Sequence, residues 1–281
     1  MTITGFDELL CPLDGDSLQR HDASWRCPAG HSFDIARQGY VHLLPVQNKR
    51  SRDPGDSREM VGARARFLET GFYQPLAAAV ARAALEGLPT DAPASLLDAG
   101  CGEGYYLRRL AAAAAPGHAL ALLGLDISKW AVLVAARADP RPTWVVASNA
   151  ALPVPAHSID RVLCIFGFPV YPEFARVLKP GGEVLRADPG PAHLRELREI
   201  IYPKLKPAGN EVAPVPDGFT QVSVESVSYP MILGDADAIA NLLAMTPHLY
   251  RASAAGKEKL LAHSRLAVTV DVRLTRLLRT G

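Results

Sequence analysis

Asp98-Ala99-Gly100-Cys101-Gly102-Glu103-Gly104 combines a terminal acid with three closely spaced glycines. Glycine reaches backbone angles that a side chain forbids, and it leaves room for a ligand to lie against the main chain. About 20 residues further on, a second apolar run, 119–125, also ends in a carboxylate, Asp126. An acid at that distance from a glycine turn is placed to bond ribose hydroxyls, so Gly100, Gly102 and Asp126 read as a nucleotide or nucleoside site. A pyrophosphate is a poor match. The third glycine of Gly-x-Gly-x-x-Gly would fall on Tyr105, and Glu103 puts negative charge where a phosphate-binding helix start needs none.

A second constellation lies earlier in the chain. Cys11-x-x-Asp14 and Cys27-x-x-x-His31 put two close donors on each of two turn-like stretches. A tetrahedral zinc ion needs four donors of this kind, and it staples a fold too small to hold itself. Asp14 stands where a second cysteine is usual, which makes a harder site of two thiolates, a carboxylate and an imidazole. Two readings follow: zinc held by Cys11, Asp14, Cys27 and His31, or a knuckle that folds without metal. His21 and His42 read as surface residues.

These groups need a frame. Residues 95–99, 119–125, 143–147, 161–166 and 183–187 are runs of strand length, separated by helical patterns at 105–115, 129–138 and 173–178, with another from Ala192. That alternation predicts a parallel sheet covered on both faces, with ligands beyond the carboxyl ends of its strands. Two earlier helices are expected at 57–69 and from about Tyr73 to Gly87, the second with Pro75 in its first turn. The fold class is α/β, a Rossmann-like doubly wound sheet with a small N-terminal knuckle-like domain. The expected units are a knuckle at 1–45, a basic linker and helix at 46–72, and the sheet domain at 73–281.

Composition bounds the partners. The 281 residues are 48% hydrophobic and 21% charged, as in an ordinary globular protein, and the net charge of +1 means that a polyanion must meet a local patch. Two patches offer themselves: 37–66 and 251–279 each carry seven Lys or Arg against three and two acids. No run approaches the roughly 20 apolar residues of a membrane span, and no signal peptide is evident, so a cytoplasmic protein without a membrane partner is expected. Cys11, Cys27, Cys101 and Cys164 do not read as a disulfide framework.

The loop Asp-Ala-Gly-Cys-Gly-Glu-Gly resembles the first motif of S-adenosylmethionine-dependent methyltransferases, and the late strands near 221–227 and 267–272 resemble the reversed sheet edge of their class I fold. More of the chain resembles the bacterial 23S ribosomal RNA guanine-N1 methyltransferases. The likeness rests on the knuckle, on Lys49-Arg50-Ser51-Arg52-Asp53-Pro54-Gly55-Asp56 and on Gly71-Phe72-Tyr73-Gln74-Pro75-Leu76. It continues in Cys101-Gly102-Glu103-Gly104-Tyr105-Tyr106, Leu178-Lys179-Pro180-Gly181-Gly182, Pro189-Gly190-Pro191-Ala192-His193-Leu194 and Met245-Thr246-Pro247. The resemblance implies S-adenosyl-L-methionine as cofactor, contacted by Tyr73, Gly102, Glu103 and His193 beside Asp98, Gly100 and Asp126. It implies zinc ligands at Cys11, Cys27 and His31, with Asp14 in the place of the family's fourth cysteine. The implied partner is a hairpin loop of 23S ribosomal RNA; a second copy of the chain is a further candidate partner.

Methyl transfer to guanine N1 requires the N1 proton to leave, and Asp188 and His193 are the candidate acceptors. N1 lies on the Watson–Crick edge, so the base must be unpaired or flipped out, and Phe166, Phe168 and Tyr171 could stack on it or pack in the core. Tyr73 could cover the cofactor or fill the core, and His193 could bond cofactor or base or face solvent. The rival readings are a small-molecule methyltransferase with a vestigial knuckle and an RNA-binding protein without turnover.

Overall fold

The computed structural model describes residues 2–48, 51, 53–89, 92–115, 117, 119–205 and 214–280. The elements in chain order are β1 (Thr2–Gly5), β2 (Gln19–His21), β3 (Ser24–Arg26), β4 (Ser32–Asp34), β5 (Tyr40–His42), α1 (Arg58–Glu69) and α2 (Gln74–Leu85). The central run is β6 (Ala94–Ala99), α3 (Tyr105–Ala113), β7 (Ala119–Asp126), α4 (Lys129–Ala138), β8 (Thr143–Val146), β9 (Ile159–Ile165), α5 (Tyr171–Val177), β10 (Leu178–Pro189) and α6 (Arg195–Ile201). The chain closes with β11 (Phe219–Leu233), α7 (Ala236–Ala244), α8 (His248–Arg251), α9 (Ala254–Leu261) and β12 (Leu266–Arg279).

Among the described residues the large sheet runs β11-β12-β10-β9-β6-β7-β8-β5, with β1 beside the first half of β7. Pairings are parallel from β10 to β5, and β12 lies antiparallel between β10 and β11, the reversed edge expected of this fold. Strand order reverses between β6 and β9, which opens the crevice where doubly wound sheets bind ligands.

Period-two alternation in the strands supplies two cores. Leu96, Leu122, Trp144, Leu163 and Leu185 face one side with α2 and α3, while Leu97, Leu123, Val145, Val162 and Val184 face the other. The second side is closed by Phe174 of α5 and by Phe6, Leu9, Leu18, Trp25 and Leu43 from the N-terminal segment. Among the described residues up to 45, β2, β3 and β4 form a sheet of their own, whereas β1 and β5 add to the large one. Trp144 is buried against Gly104 and Gly124 and donates its indole N–H to Asp139 O at 2.7 Å. Truncating such a side chain costs about 3–5 kcal/mol.

Local chemistry sets the helix starts. Ser57 and Ser128 cap α1 and α4 by accepting from Met60 N and Ala131 N. The helix expected from Ala192 begins instead at Arg195. The preceding turn is pinned to β12, where Ala192 N donates to Asp271 Oδ2 and Leu194 N to Thr269 O, and Leu194 adopts a left-handed φ of 51°. No helix among the described residues is long and apolar enough to cross a membrane.

Candidate active site and metal centre

The glycine loop leaves β6 at Ala99 and folds over the end of β7. Gly100 N and Cys101 N both donate to Leu125 O, and Gly102 N donates to Asp126 Oδ2 at 3.0 Å. Gly100, Gly102 and Gly104 all have left-handed φ (92°, 56° and 79°), a turn that side chains would strain. The other Asp126 oxygen accepts Ser128 N at 2.8 Å, which orients the carboxylate at the strand end.

Three acids converge here. Asp98 is fully buried, and neither carboxylate oxygen has a hydrogen-bond partner; Glu103 is buried with Oε2 also unpartnered. Burial, with the charges of Asp126 and Glu103 added, pushes Asp98 up to about 8. Burial likewise raises Glu103 and Asp126, opposed at Glu103 by the charge of Arg64 and at Asp126 by the two backbone N–H donors. Unpaired buried carboxylates cost free energy and favour a cationic ligand.

Arg64 of α1 reaches over the loop. Its guanidinium pairs with Asp56, donates to Met245 O at 3.3 Å, and lies 3.5 Å from where a Cβ on Gly102 would stand. Asp56 follows Gly55, whose φ of 83° and contact with Ile127 and Ser128 press the 53–56 stretch onto the β7–α4 turn. Ser128 Oγ donates to Asp56 O at 2.7 Å. Charge alone offers no sequence signal for Arg64, because it belongs to a basic run that reads equally as a solvated face.

An aromatic group closes the far side. Tyr73 stands just ahead of α2 and is 3% exposed; its ring is 6.5 Å from both Phe166 and His193, which are 5.7 Å apart. Phe166 follows β9 with a φ of 54°, the left-handed region, so the chain end is bent to set that ring beside His193. Phe168 is 90% exposed, whereas Tyr171 packs on Phe174 and Phe219 in the second core and accepts from Arg186. Asp188 lies beside the Arg186 guanidinium, 2.5 Å from Nε. Burial lowers the His193 imidazole to about 4, and its Nδ1 accepts Asp271 N at 3.2 Å. Asn149, just past β8, was not singled out from the sequence; its Nδ2 donates to Phe168 O and its buried Oδ1 has no partner.

The structure also gathers Cys11, Asp14, Cys27 and His31, whose ligand atoms lie within 4.8 Å of one another. Asp14 Oδ2 is 2.7 Å from His31 Nδ1 and accepts from Cys27 Sγ at 3.2 Å. Asp14 is held well below the usual carboxylate range, first by Asp16 N–H on Oδ1 at 2.9 Å and then by the Cys11 side chain. Burial raises the Cys11 thiol to about 11. The donor set and its convergence fit a tetrahedral zinc ion.

Of the basic patches, Lys49, Arg50 and Arg52 lie outside the described residues. In the second patch, Arg276 is drawn into ion pairs with Glu183 and Glu86.

Comparison with known proteins gives the arrangement its place. Residues 9–52 match the zinc-ribbon family described as RlmA, N-terminal, and residues 96–182 match a methyltransferase domain family. A 23S rRNA (guanine(748)-N(1))-methyltransferase of Streptomyces fradiae is 35% identical over 85% of this chain and 84% of its own length. The chain belongs to the 23S rRNA (guanine-N1)-methyltransferase family. Two more members, from Micromonospora griseorubida and Bacillus subtilis, are 40% and 32% identical, over 67% and 95% of this chain and 68% and 95% of theirs. A methyltransferase of this family uses S-adenosylmethionine, and the unpartnered acids at the loop fit the cationic amino-acid end of that molecule.

Proposed function

We propose that this methyltransferase modifies N1 of a guanine in a hairpin loop of 23S ribosomal RNA, with the cofactor seated between the glycine loop and the aromatic group. The observation that carries the seating is the set of buried, unpartnered oxygens on Asp98 and Glu103 beside a turn that only glycines form easily. Gly100 and Gly102 leave the backbone open, and Asp126 takes the ribose hydroxyls. Asp98 and Glu103 face the ammonium end, and Tyr73 and His193 enclose the reacting side. Bound adenosylmethionine supplies an electrophilic methyl group on a sulfonium.

The residues of the chain do the rest by orientation, which is where an in-line displacement gains most. Phe166 and the exposed Phe168 offer faces on which an unpaired guanine stacks. Asp188, at the end of β10, stands as the acceptor for the N1 proton. The ribbon, within 1–45, holds zinc through Cys11, Asp14, Cys27 and His31 and docks the RNA with the basic 46–72 linker, while 73–281 carries the chemistry.

The test is transfer of labelled methyl from adenosylmethionine to protein-free 23S ribosomal RNA, followed by nucleoside digestion. Label in 1-methylguanosine is expected. Label confined to another nucleoside, or none with RNA and transfer to a small amine instead, would overturn the proposal.

A further inference from the structure

The loop that carries His193 is tied to β12 by one residue that sequence reading passes over. Asp271 accepts Gly190 N on its carbonyl oxygen and Ala192 N on Oδ2, and its own N–H donates to His193 Nδ1 at 3.2 Å. A Cβ at Gly190 would meet the Asp271 carboxylate and push it from its place on Ala192 N. His193 N donates to Gly190 O, which closes the turn. The imidazole is therefore held at Nδ1 by a donor that cannot change its role.

A ring nitrogen that accepts a backbone N–H carries no proton, so in a neutral imidazole the proton sits on the other nitrogen. Burial keeps this imidazole neutral at ordinary pH, against the opposing charge of Asp271 and with Arg198 and His248 adding to the shift. Nε2 is then a donor. A base would have to present a lone pair at Nε2, and Asp271 N–H has already taken the lone pair that the ring can offer.

Resting on the guanine-N1 reading above, we propose that His193 donates Nε2–H to O6 of the target guanine and is not the base, with Asp271 as the residue that positions it. On the Watson–Crick edge, N1 and the exocyclic amine are donors, so O6 is the one acceptor that a donor beside N1 can meet. When the N1 proton passes to Asp188, negative charge spreads from N1 onto O6, and the Nε2–H bond strengthens as that charge develops. The N1 electron pair then forms the bond to the methyl carbon while the carbon–sulfur bond breaks toward sulfur. The products are neutral 1-methylguanine, S-adenosylhomocysteine and the proton on Asp188. A donor aimed at developing charge contributes about 10²–10³ in rate.

Two substitutions separate the roles. The amide nitrogen of His193→Gln can stand where Nε2 stands but cannot act as a base. His193→Asn can accept Asp271 N–H with its amide oxygen but places no donor at Nε2. At saturating adenosylmethionine, single-turnover methylation of protein-free 23S ribosomal RNA should stay within about tenfold of the parent for Gln and fall about 100-fold or more for Asn, with any change in cofactor affinity by calorimetry equal in the two variants. Gln as inactive as Asn, or a loss of cofactor affinity in Asn alone that accounts for the slowed transfer, would overturn the proposal. Nitrogen-15 NMR of the histidine-labelled parent needs no variant: a protonated Nε2 and bare Nδ1 at His193 are expected, and the reverse tautomer would overturn it. A parent that methylates no guanine fails the underlying reading, whereas an active parent with the wrong tautomer fails only the role given to His193.

Discussion

At the ribbon, Asp14, Cys11, Cys27 and His31 hydrogen-bond one another; at the glycine loop, Asp98 and Glu103 hold oxygens that bond nothing among the described residues. Exposure separates the two clusters as well. The Asp14 and His31 side chains are 23% and 39% exposed, while Asp98 is 1% exposed. The outcome for the acids is opposite: Asp14 is held down by donors around it, and Asp98 is pushed up by burial and by its neighbours' charge. The ribbon is thus a set of donors that can settle among themselves. The loop cluster holds unpartnered acids, which a sulfonium amino acid would satisfy.

The largest effect that would sharpen this contrast is expected at Gly102. A Gly102→Val side chain would strain a left-handed turn and crowd the Arg64 guanidinium. Adenosylmethionine affinity should fall about 100-fold or more while zinc content matches that of the parent, since a bulky group there forfeits several contacts together. Near-parental affinity by calorimetry would place the cofactor elsewhere.

The next effect is at the ribbon. Asp14→Ala should weaken zinc by about 10–100-fold, at least what loss of a supporting group around a metal costs, and Asp14→Cys should tighten it. Competition with a chromophoric chelator reads both. An absence of zinc in freshly purified protein, with folding untouched by chelator, would favour a knuckle that needs no metal.

A pH effect follows from Asp98. Its folded value is raised from 3.8 to about 8, so the folded state binds the extra proton and stability contributed by that carboxyl is lost as pH rises from about 4 to about 8. A cationic ligand prefers the ionised form, so cofactor affinity should rise with pH up to about 8, approaching tenfold per unit, and the added slope should vanish in Asp98→Asn. The cofactor's own amine titrates nearby, which makes the difference between the two proteins the quantity to read. Parallel slopes would separate Asp98 from the binding site.

The smallest effect concerns RNA. A triple Lys49→Ala, Arg50→Ala, Arg52→Ala variant should bind the cofactor normally and lose up to about 2–3 units of the log–log salt slope for RNA binding, one per phosphate contact. An unchanged slope would mean that these residues are solvated or internally paired.

Much of the frame was legible because buried strands alternate with period two and end in acids and glycines. The 129–138 helix and the glycine turn stand where periodicity and composition put them. Less legible were contacts that depend on chain segments far apart. β1 and β5 are too short for a periodic signal and earn their places by pairing with β7 and β8. Arg64 and Asp271 act through distant partners, Met245 and the Gly190–His193 turn, and no local pattern marks either. Tyr171 shows the converse, an aromatic in a plausible stacking stretch that packing draws into the core.

The division between the two clusters is tested most directly by measuring cofactor and zinc affinity in the same pair of variants, Asp126→Ala and Asp14→Ala. Asp126→Ala should lose adenosylmethionine and keep zinc at parental affinity. Asp14→Ala should bind zinc about 10–100-fold more weakly and keep adenosylmethionine at parental affinity. Loss of both ligands from either variant would contradict the separation, and would mean that the ribbon and the sheet, which share a core through Leu9, Trp25 and Val145, bind as one unit.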